Sequence, residues 1–185
     1  MRIRPATDRA RLHNAAQGRG QTRKMTATLA PYTLEDRPWV MSAHLSFYRA
    51  RHSFDDQFAV AVASALDAVD AGLANPASCD LIAWLGDHRI GCISFGPDAP
   101  GIGRVRLFFV ASGYRGQGLG RQLLNATLDH ARRCGIGAIR VSTFESHPEA
   151  CALYRSVGFH QSGRAPVHAF GQDLIQLDFE RSARP

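Results

Sequence analysis

The 185-residue sequence contains a single lysine, Lys24, and no Cys-x-x-Cys pair. It also has no uninterrupted apolar run near the roughly 18 residues a membrane-spanning helix needs. Its first residues, Met1-Arg-Ile-Arg-Pro, lack the apolar stretch of a secretory signal. A soluble, cytoplasmic protein with no membrane partner is expected. Cys79, Cys92, Cys134 and Cys151 have neither zinc-ligand spacing nor the density of a disulfide framework. The eight histidines show no i, i+4 pairing of the kind a helical metal site uses, so no metal is expected. A composition of 45% hydrophobic and 21% charged residues excludes disorder throughout, collagen-like chains and coiled coils.

The net charge of +6 is unevenly spread. Arg2, Arg4, Arg9, Arg11, Arg19, Arg23 and Lys24 face only Asp8 in residues 1–24, leaving 15 basic and 15 acidic residues in 25–185. Residues 1–24 read as a disordered basic tail, or as an overlong start, because Met25-Thr-Ala looks like a genuine beginning. The neutral remainder, 25–185, reads as one domain, and no nucleic-acid partner is expected of it.

Along that domain, Ala27 to Leu34 suits a strand, and Asp36 with Pro38 opens a helix carrying Trp39, Val40, Ala43, Phe47 and Ala50. Ser53 reads as the cap of a second helix over 54–74, stopped by Asn75-Pro76. Leu81–Leu85 and Ile90–Phe95 form a hairpin, 96–103 a loop, and Arg104–Val110 a buried strand. A helix with Leu119, Leu123, Leu124, Leu128 and Ala131 leads to a strand over Ala138–Phe144, which makes a parallel crossover unit. A helix from His147-Pro148 to Gly158 and strands over Phe159–Arg164 and Asp173–Glu180 complete the chain.

The informative segment is Tyr114-Arg-Gly-Gln-Gly-Leu-Gly-Arg121, lying between a buried strand and a helix. Its alternating glycines let backbone approach a ligand with no Cβ in the way. The helix start after it offers unpartnered N–H groups and the positive end of a dipole. That is a phosphate cradle, but not a P-loop, since no lysine follows Lys24. Nor is it a dinucleotide fingerprint, because Arg121 stands where the third glycine belongs.

Arg115-Gly-Gln-Gly-Leu-Gly120 resembles the Arg/Gln-x-x-Gly-x-Gly/Ala signature of the GNAT superfamily of N-acetyltransferases. Ala150-Cys-Ala-Leu-Tyr-Arg-Ser-Val-Gly-Phe159 is similar to that family's Ala-x-x-Leu-Tyr-x-x-x-Gly-Phe. The resemblance covers about residues 26–180. Pro38-Trp-Val, His44, Tyr48, Phe54, Phe58 and the ending Ala169-Phe-Gly-Gln-Asp-Leu further resemble the acetyltransferase half of MarR–GNAT fusion proteins, without their helix-turn-helix.

The resemblance implies a mixed α/β fold: a central sheet of about seven strands flanked by helices, with strands four and five splayed apart. It implies direct acetyl transfer from acetyl-CoA to an amine acceptor, small molecule or peptide, and assembly as a homodimer. Arg115, Gly116, Gln117, Gly118, Leu119 and Gly120 would hold the CoA pyrophosphate, and Phe108, Phe109 and Val110 would pair with the pantetheine arm. A backbone N–H near Val110 would polarise the thioester carbonyl. Tyr154 matches the family tyrosine that meets the departing thiolate, although on an apolar helical face it also reads as packing. His147 stands at the place of a pantetheine-contacting Asn, or caps its helix. Glu145 is the candidate base, or a solvated loop carboxylate; the fourth strand has no Glu, where many relatives place theirs. His44 and Tyr48, four apart on one helix, are candidates for the acceptor pocket. A non-catalytic acyl-CoA-binding sensor or partner-binding module is the alternative function.

Overall fold

Period-two alternation along the strands and one apolar stripe per helix call for a sheet between helical layers. The structure, a computed structural model that describes residues 27–183, has that form. The basic segment 1–24 lies outside the described residues. In chain order the elements are β1 (Thr28–Pro31), α1 (Arg37–His52), α2 (Asp56–Gly72), β2 (Leu81–Leu85), β3 (His88–Ala99) and β4 (Ile102–Val110). Then come α3 (Leu119–Arg133), β5 (Ala138–Phe144), α4 (Pro148–Ser156), β6 (His160–Ala169) and β7 (Gln172–Ser182). The seven strands form one sheet in the order β1-β2-β3-β4-β5-β7-β6, with β4 and β5 parallel and the other neighbours antiparallel. Among the described residues no helix is long and apolar enough to cross a membrane.

Alternation sorts the core into two. Ala83, Ile93, Val105, Ile139, Val141 and Phe179 join Leu123, Leu124, Leu128 and Ala131 of α3 in one cluster. Their strand neighbours Ile82 and Cys92 join Val40 of α1 with Val62, Leu66 and Val69 of α2 in the other. The far half of this second face, on β5 and β7, is polar. Arg140 there donates to Glu180 at 2.7 Å and Ser142 to Asp178 at 2.6 Å.

Several expected boundaries move. The first strand stops at Pro31, because the Asp36 carboxylate accepts from the Thr33 N–H at 2.8 Å and from Arg89 at 2.7 Å, holding a tight turn there. Asp36 therefore ties the start of α1 to β3 rather than capping α1 with its side chain. Ser53 ends α1 in the left-handed region (φ 53°), and Asp55 caps α2 by accepting from the Gln57 N–H at 2.9 Å. The expected loop over 96–103 is instead a continuation of the β3–β4 hairpin. Pairing of β2 to β3 ends at Leu81↔Ile93, so Pro97 lies beyond β2, where its missing N–H breaks no ladder with that strand. The last two strands also run longer, as a hairpin turning at Phe170-Gly171.

Two irregularities in β4 set the shape of the cleft beside it. Its pairing with β5 covers only Ile102↔Ala138, Gly103↔Ile139 and Arg104↔Arg140, beyond which the strands part. Leu107 and Phe108 together oppose Ile93, so β4 carries a bulge, with Leu107 at φ 45°. The extra residue resets the alternation. Val105, Phe108 and Val110 pack in the α3/α4 cluster, whereas Leu107 and Phe109 turn to α1 and α2.

On β4, Gly103 leaves room for the ring of Phe95 on β3. A Cβ there would fall 2.2 Å from Cζ of Phe95, whose ring is buried. Gly103→Ala is expected to lower stability by about 1–3 kcal/mol through overpacking, read as a lower urea midpoint at unchanged m. Phe95→Leu should cost less in the Gly103→Ala background than in the wild type. Wild-type stability in the single variant would show that the ring gives way freely.

Candidate active site

The gap between the diverging ends of β4 and β5 opens a cavity of about 870 Å³, lined from α1, α2, β4, β5, the glycine loop and α4. Ala111 N–H donates to Ile90 at 3.0 Å, so by antiparallel alternation the N–H and C=O of Val110 face away from β3, into the gap. Arg115 fills part of it, donating from Nε to the Val110 carbonyl at 2.8 Å. Gly116 and Gly118 turn the loop with φ of 71° and 87°, and a Cβ at either would meet no protein atom within 4 Å. Gly118 sits at the N-cap of α3, leaving the first-turn amides beside the cavity unpartnered within the helix.

The two mouths of the passage differ. On the α3/α4 side lie Phe108, Val110, Gly120, Arg121, Leu153 and Tyr154. On the α1/α2 side lie His44, Phe47, Tyr48, His52, Phe58 and Phe109. Tyr48 is the hub of this second wall: its ring centroid is 4.6 Å from Phe58, 5.4 Å from Phe54 and 5.3 Å from His147. His52 and His147 rings lie 4.5 Å apart. The Arg115 guanidinium lies 4.2 Å over the Phe47 ring.

Of the residues singled out from the sequence, the cavity gathers His44, Tyr48, Phe108, Phe109, Val110, Arg115, Gly116, Gly118, Gly120, His147 and Tyr154. It does not gather three. Gln117 folds back to donate to Gly113 at 2.9 Å, and Leu119 is buried in the α3 core. Glu145 pairs with Arg164 of β6 at 3.3 Å and is not among the lining residues. His147 does occupy the N-cap of α4, but without a side-chain cap bond; its Nδ1 lies 3.3 Å from the Thr143 hydroxyl. Phe47, Arg51 and His52 were missed. Their signal was present, since His52 continues the four-residue spacing of His44 and Tyr48, and Phe47 with Arg51 repeats it one step round.

Burial controls the protonation of the whole wall. It pushes His44 down to about 4, against a small opposing effect of the hydrogen bond to the Val40 carbonyl. It pushes His147 down to about 4 as well, with the neighbouring His52 charge adding to it. Tyr48 is pushed up to about 12, and Tyr154 rises too, chiefly through burial and then through the charge of an ionised Tyr48. His44 Nδ1 lies 2.8 Å from the Val40 carbonyl, which can only accept, so Nδ1 carries the proton and Nε2 a bare lone pair. That Nε2 and the Nε2 of His147 are buried without a hydrogen-bond partner.

A long, flexible donor with phosphates at one end and an acyl group at the other suits such a passage, which defines the class as a CoA-dependent acyltransferase. Comparison with known proteins gives the family. The chain matches the acetyltransferase (GNAT) family over residues 38–159 and belongs to it. It is an acetyl-CoA-dependent N-acetyltransferase. It is similar to an IAA acetyltransferase of Azospirillum brasilense, 34% identical over 110 residues that make up 59% of this chain and 71% of that one. An L-methionine sulfoximine/L-methionine sulfone acetyltransferase of Salmonella typhimurium is 31% identical over 83 residues, of which the chain spans about half the length (48%) while matching over 42% of its own. A Salmonella typhimurium acetyltransferase solved with acetyl-CoA superposes with a TM-score of 0.72 at 20% identity, covering 86% of this chain and 95% of that one, and so shares the fold.

The two depressed imidazoles make the protein acid-sensitive. Unfolded, each would take up a proton below about 6.5; folded, each resists it down to about 4. The unfolded state thus binds more protons between these values, and stability falls as pH drops from 6.5 to 4. For the fully buried His44 the loss is of the order of 3 kcal/mol. Asp80, raised to about 6 by burial, acts in the opposite direction. Urea titrations at pH 7.5 and 4.5 should therefore show a smaller acid loss for His44→Phe than for the wild type. Parallel losses would mean that His44 is not held neutral.

Proposed function

We propose that the chain acetylates a small-molecule amine in the cytoplasm, with the β4–β5 gap holding the acetyl-CoA arm and the α1/α2 side receiving the acceptor. The observation that carries this reading is the gap itself: strand-edge backbone facing a cavity that leads to an unpartnered helix N-terminus. The amides at the start of α3, opened by Gly116 and Gly118, take the pyrophosphate. The N–H of Val110 donates to the thioester carbonyl and to the oxyanion that replaces it. Tyr154 donates a hydrogen bond to the sulfur as the C–S bond breaks; its raised pKa suits donation rather than ionisation. Arg115, locked on Val110, positions the strand edge. Because Gln117, Leu119 and Glu145 point elsewhere, the pyrophosphate contact from 117 and 119 is by main chain, and Glu145 acts only if its pair with Arg164 opens.

The closer resemblance to the acetyltransferase half of MarR–GNAT proteins is part of the proposal, as is homodimer assembly. The packing of Tyr48, Phe54, Phe58 and Phe170 into one aromatic group supports the first. A small acceptor is supported by the ring-lined wall and by relatives named for small substrates.

The cradle is tested with a matched control. Gly118→Ala and Gly135→Ala each force alanine into the left-handed region with no clash, at about 1–2 kcal/mol. Both should lower Tm alike, but only Gly118→Ala should lose most of the Tm rise that saturating acetyl-CoA gives by mass action. An undiminished shift in Gly118→Ala would overturn the assignment. For the leaving group, Tyr154→Phe should lower kcat about 10²-fold with KM for acetyl-CoA nearly unchanged. Full activity would leave Tyr154 as a packing aromatic among Phe108, Phe159 and Phe179.

A further inference from the structure

The fixed charges facing the cavity are mostly of one sign. Its described lining residues include Arg51, Arg106, Arg115 and Arg121, with Glu149 as the one carboxylate among them. Two of the arginines are engaged elsewhere. Arg106 donates to Asp98 at 2.9 Å, and Arg121, in the first turn of α3, donates to the Ser156 hydroxyl of α4 at 2.9 Å. Arg51 and Arg115 remain, and both stand on the α1/α2 side of the passage. Arg51 is exposed in the last turn of α1, with its guanidinium 3.8 Å from Glu149, an ion pair too long for a hydrogen bond.

Arg115 is the less satisfied of the two. Its half-buried guanidinium lies 4.2 Å from the Phe47 centroid and 5.9 Å from that of Phe109. Nε is committed to the Val110 carbonyl, a neutral acceptor. Arg115 makes no ion pair among the described residues. Burial lowers its pKa first and the charge of Arg51 second, ahead of the opposing effects of Glu149 and Tyr48. Arg51 lowers His52 as well, again after burial. A surplus of positive charge therefore bears on the wall made by Phe47, Tyr48, Phe58 and Phe109. A guanidinium drawn out of water without a counter-ion is unfavourable, and its planar Nη edge matches the two oxygens of a carboxylate.

Resting on the acetyltransferase reading above, we propose that the acceptor is an amino carboxylate with an apolar body, its carboxylate taken by Arg115 and Arg51 and its body laid on the aromatic wall. The arginines select the anion, and the rings beside them select the body. A carboxylate suits a half-buried site better than a phosphate monoester, because a monoanion gives up less hydration than a dianion. A polyamine would add positive charge where there is already a surplus. An amino acid brings its ammonium group in with its own counter-charge. Glu149 competes with the incoming carboxylate for Arg51 and is displaced from it. Arg51 and Arg115 thereby determine specificity, while the CoA pyrophosphate stays on the amides at the start of α3.

The test is thiol release from acetyl-CoA by the full chain, with acceptors in matched pairs. These are phenylalanine and phenethylamine, leucine and isoamylamine, and methionine and 3-(methylthio)propylamine, each amine lacking only the carboxylate. The amino acid should exceed its partner in kcat/KM by about tenfold or more. Phenylalaninamide, less basic than phenylalanine but without the charge, should also fall below phenylalanine, which separates anion recognition from amine basicity. Arg51→Gln should raise KM for the amino acid about tenfold at unchanged KM for acetyl-CoA, and Arg51→Lys should recover part of the loss. Glu149→Gln, which removes the competitor, should lower that KM; a merely structural Arg51–Glu149 pair would move both variants the same way. Amines used as well as the amino acids, with a normal acetyl-CoA thermal shift, would overturn this inference and leave the acetyltransferase reading standing. So would turnover of no amino acid alongside that shift. An Arg51→Gln effect confined to KM for acetyl-CoA would overturn it too, by assigning the arginines to the CoA phosphates. No thiol release with any acceptor, together with no acetyl-CoA thermal shift, would overturn both. The wild-type panel decides the acceptor class even where a variant does not fold.

Discussion

Strands β4 and β5 cannot keep their outer partners and also pair with each other beyond Arg104. β5 is fixed to β7 from Ala138 to Phe144, while β4 stays with β3 up to Val110. Between these commitments the parallel pair holds for three residues and then opens. Open strand edges in the middle of a sheet are unfavourable, because each backbone N–H and C=O facing the gap needs a partner or water. Arg115 meets one of them, the Val110 carbonyl. An extended ligand laid along the edge meets others in the manner of an added strand, so the binding site is the place where the fold leaves its own sheet unfinished.

The bulge at Leu107 decides what the two ends of that opening are made of. Without it, Phe109 would share a face with Val105 and point at α3 and α4. With it, Phe109 joins Leu107 on the α1/α2 side and Phe108 faces Tyr154, with ring centroids 6.3 Å apart. One extra residue therefore gives the phosphate-facing side a passage beside the Tyr154 phenol and gives the opposite side its aromatic lining. A non-glycine residue at φ 45° is a strained choice, and such strain persists where the surroundings over-determine it. The Cys92 thiol donating to the Leu107 carbonyl at 3.2 Å is part of that surround.

The architecture was legible because its signals are local. The short apolar run Leu81–Leu85, the stripe of Leu123, Leu124 and Leu128, and the glycines at 116 and 118 each act over a few residues. The bulge was not legible: Arg-Val-Arg-Leu-Phe-Phe-Val is a continuous run with no Gly or Pro to mark it. Gly96-Pro97 read as a loop because the tolerance for that proline depends on where β2 stops, which is a tertiary fact. The site divides in the same way. The loop and Tyr154 follow motif spacing, whereas the wall joins Tyr48, Phe54, Phe58, His147 and Phe170 from separate parts of the chain, and no window contains them. Glu145 looked available at a strand end; the partner that occupies it, Arg164, lies on another strand.

Burial then assigns proton traffic, with charged neighbours contributing second. A low-dielectric wall penalises the charged form of every group in it, and the charged form of a phenol is the deprotonated one while that of an imidazole is the protonated one. Tyr48 and Tyr154 are accordingly held as donors, and His44 and His147 are held without the second proton. A carboxylate could serve as acceptor here only with a counter-charge to keep it ionised, and Arg115, the guanidinium over the aromatic wall, is turned to Val110 and Phe47. A neutral imidazole needs no such partner. The absence of Glu from Arg104–Val110 is thus consistent with the chemistry of this wall: its buried neutral groups are imidazoles, His44 on α1 and His147 at the start of α4.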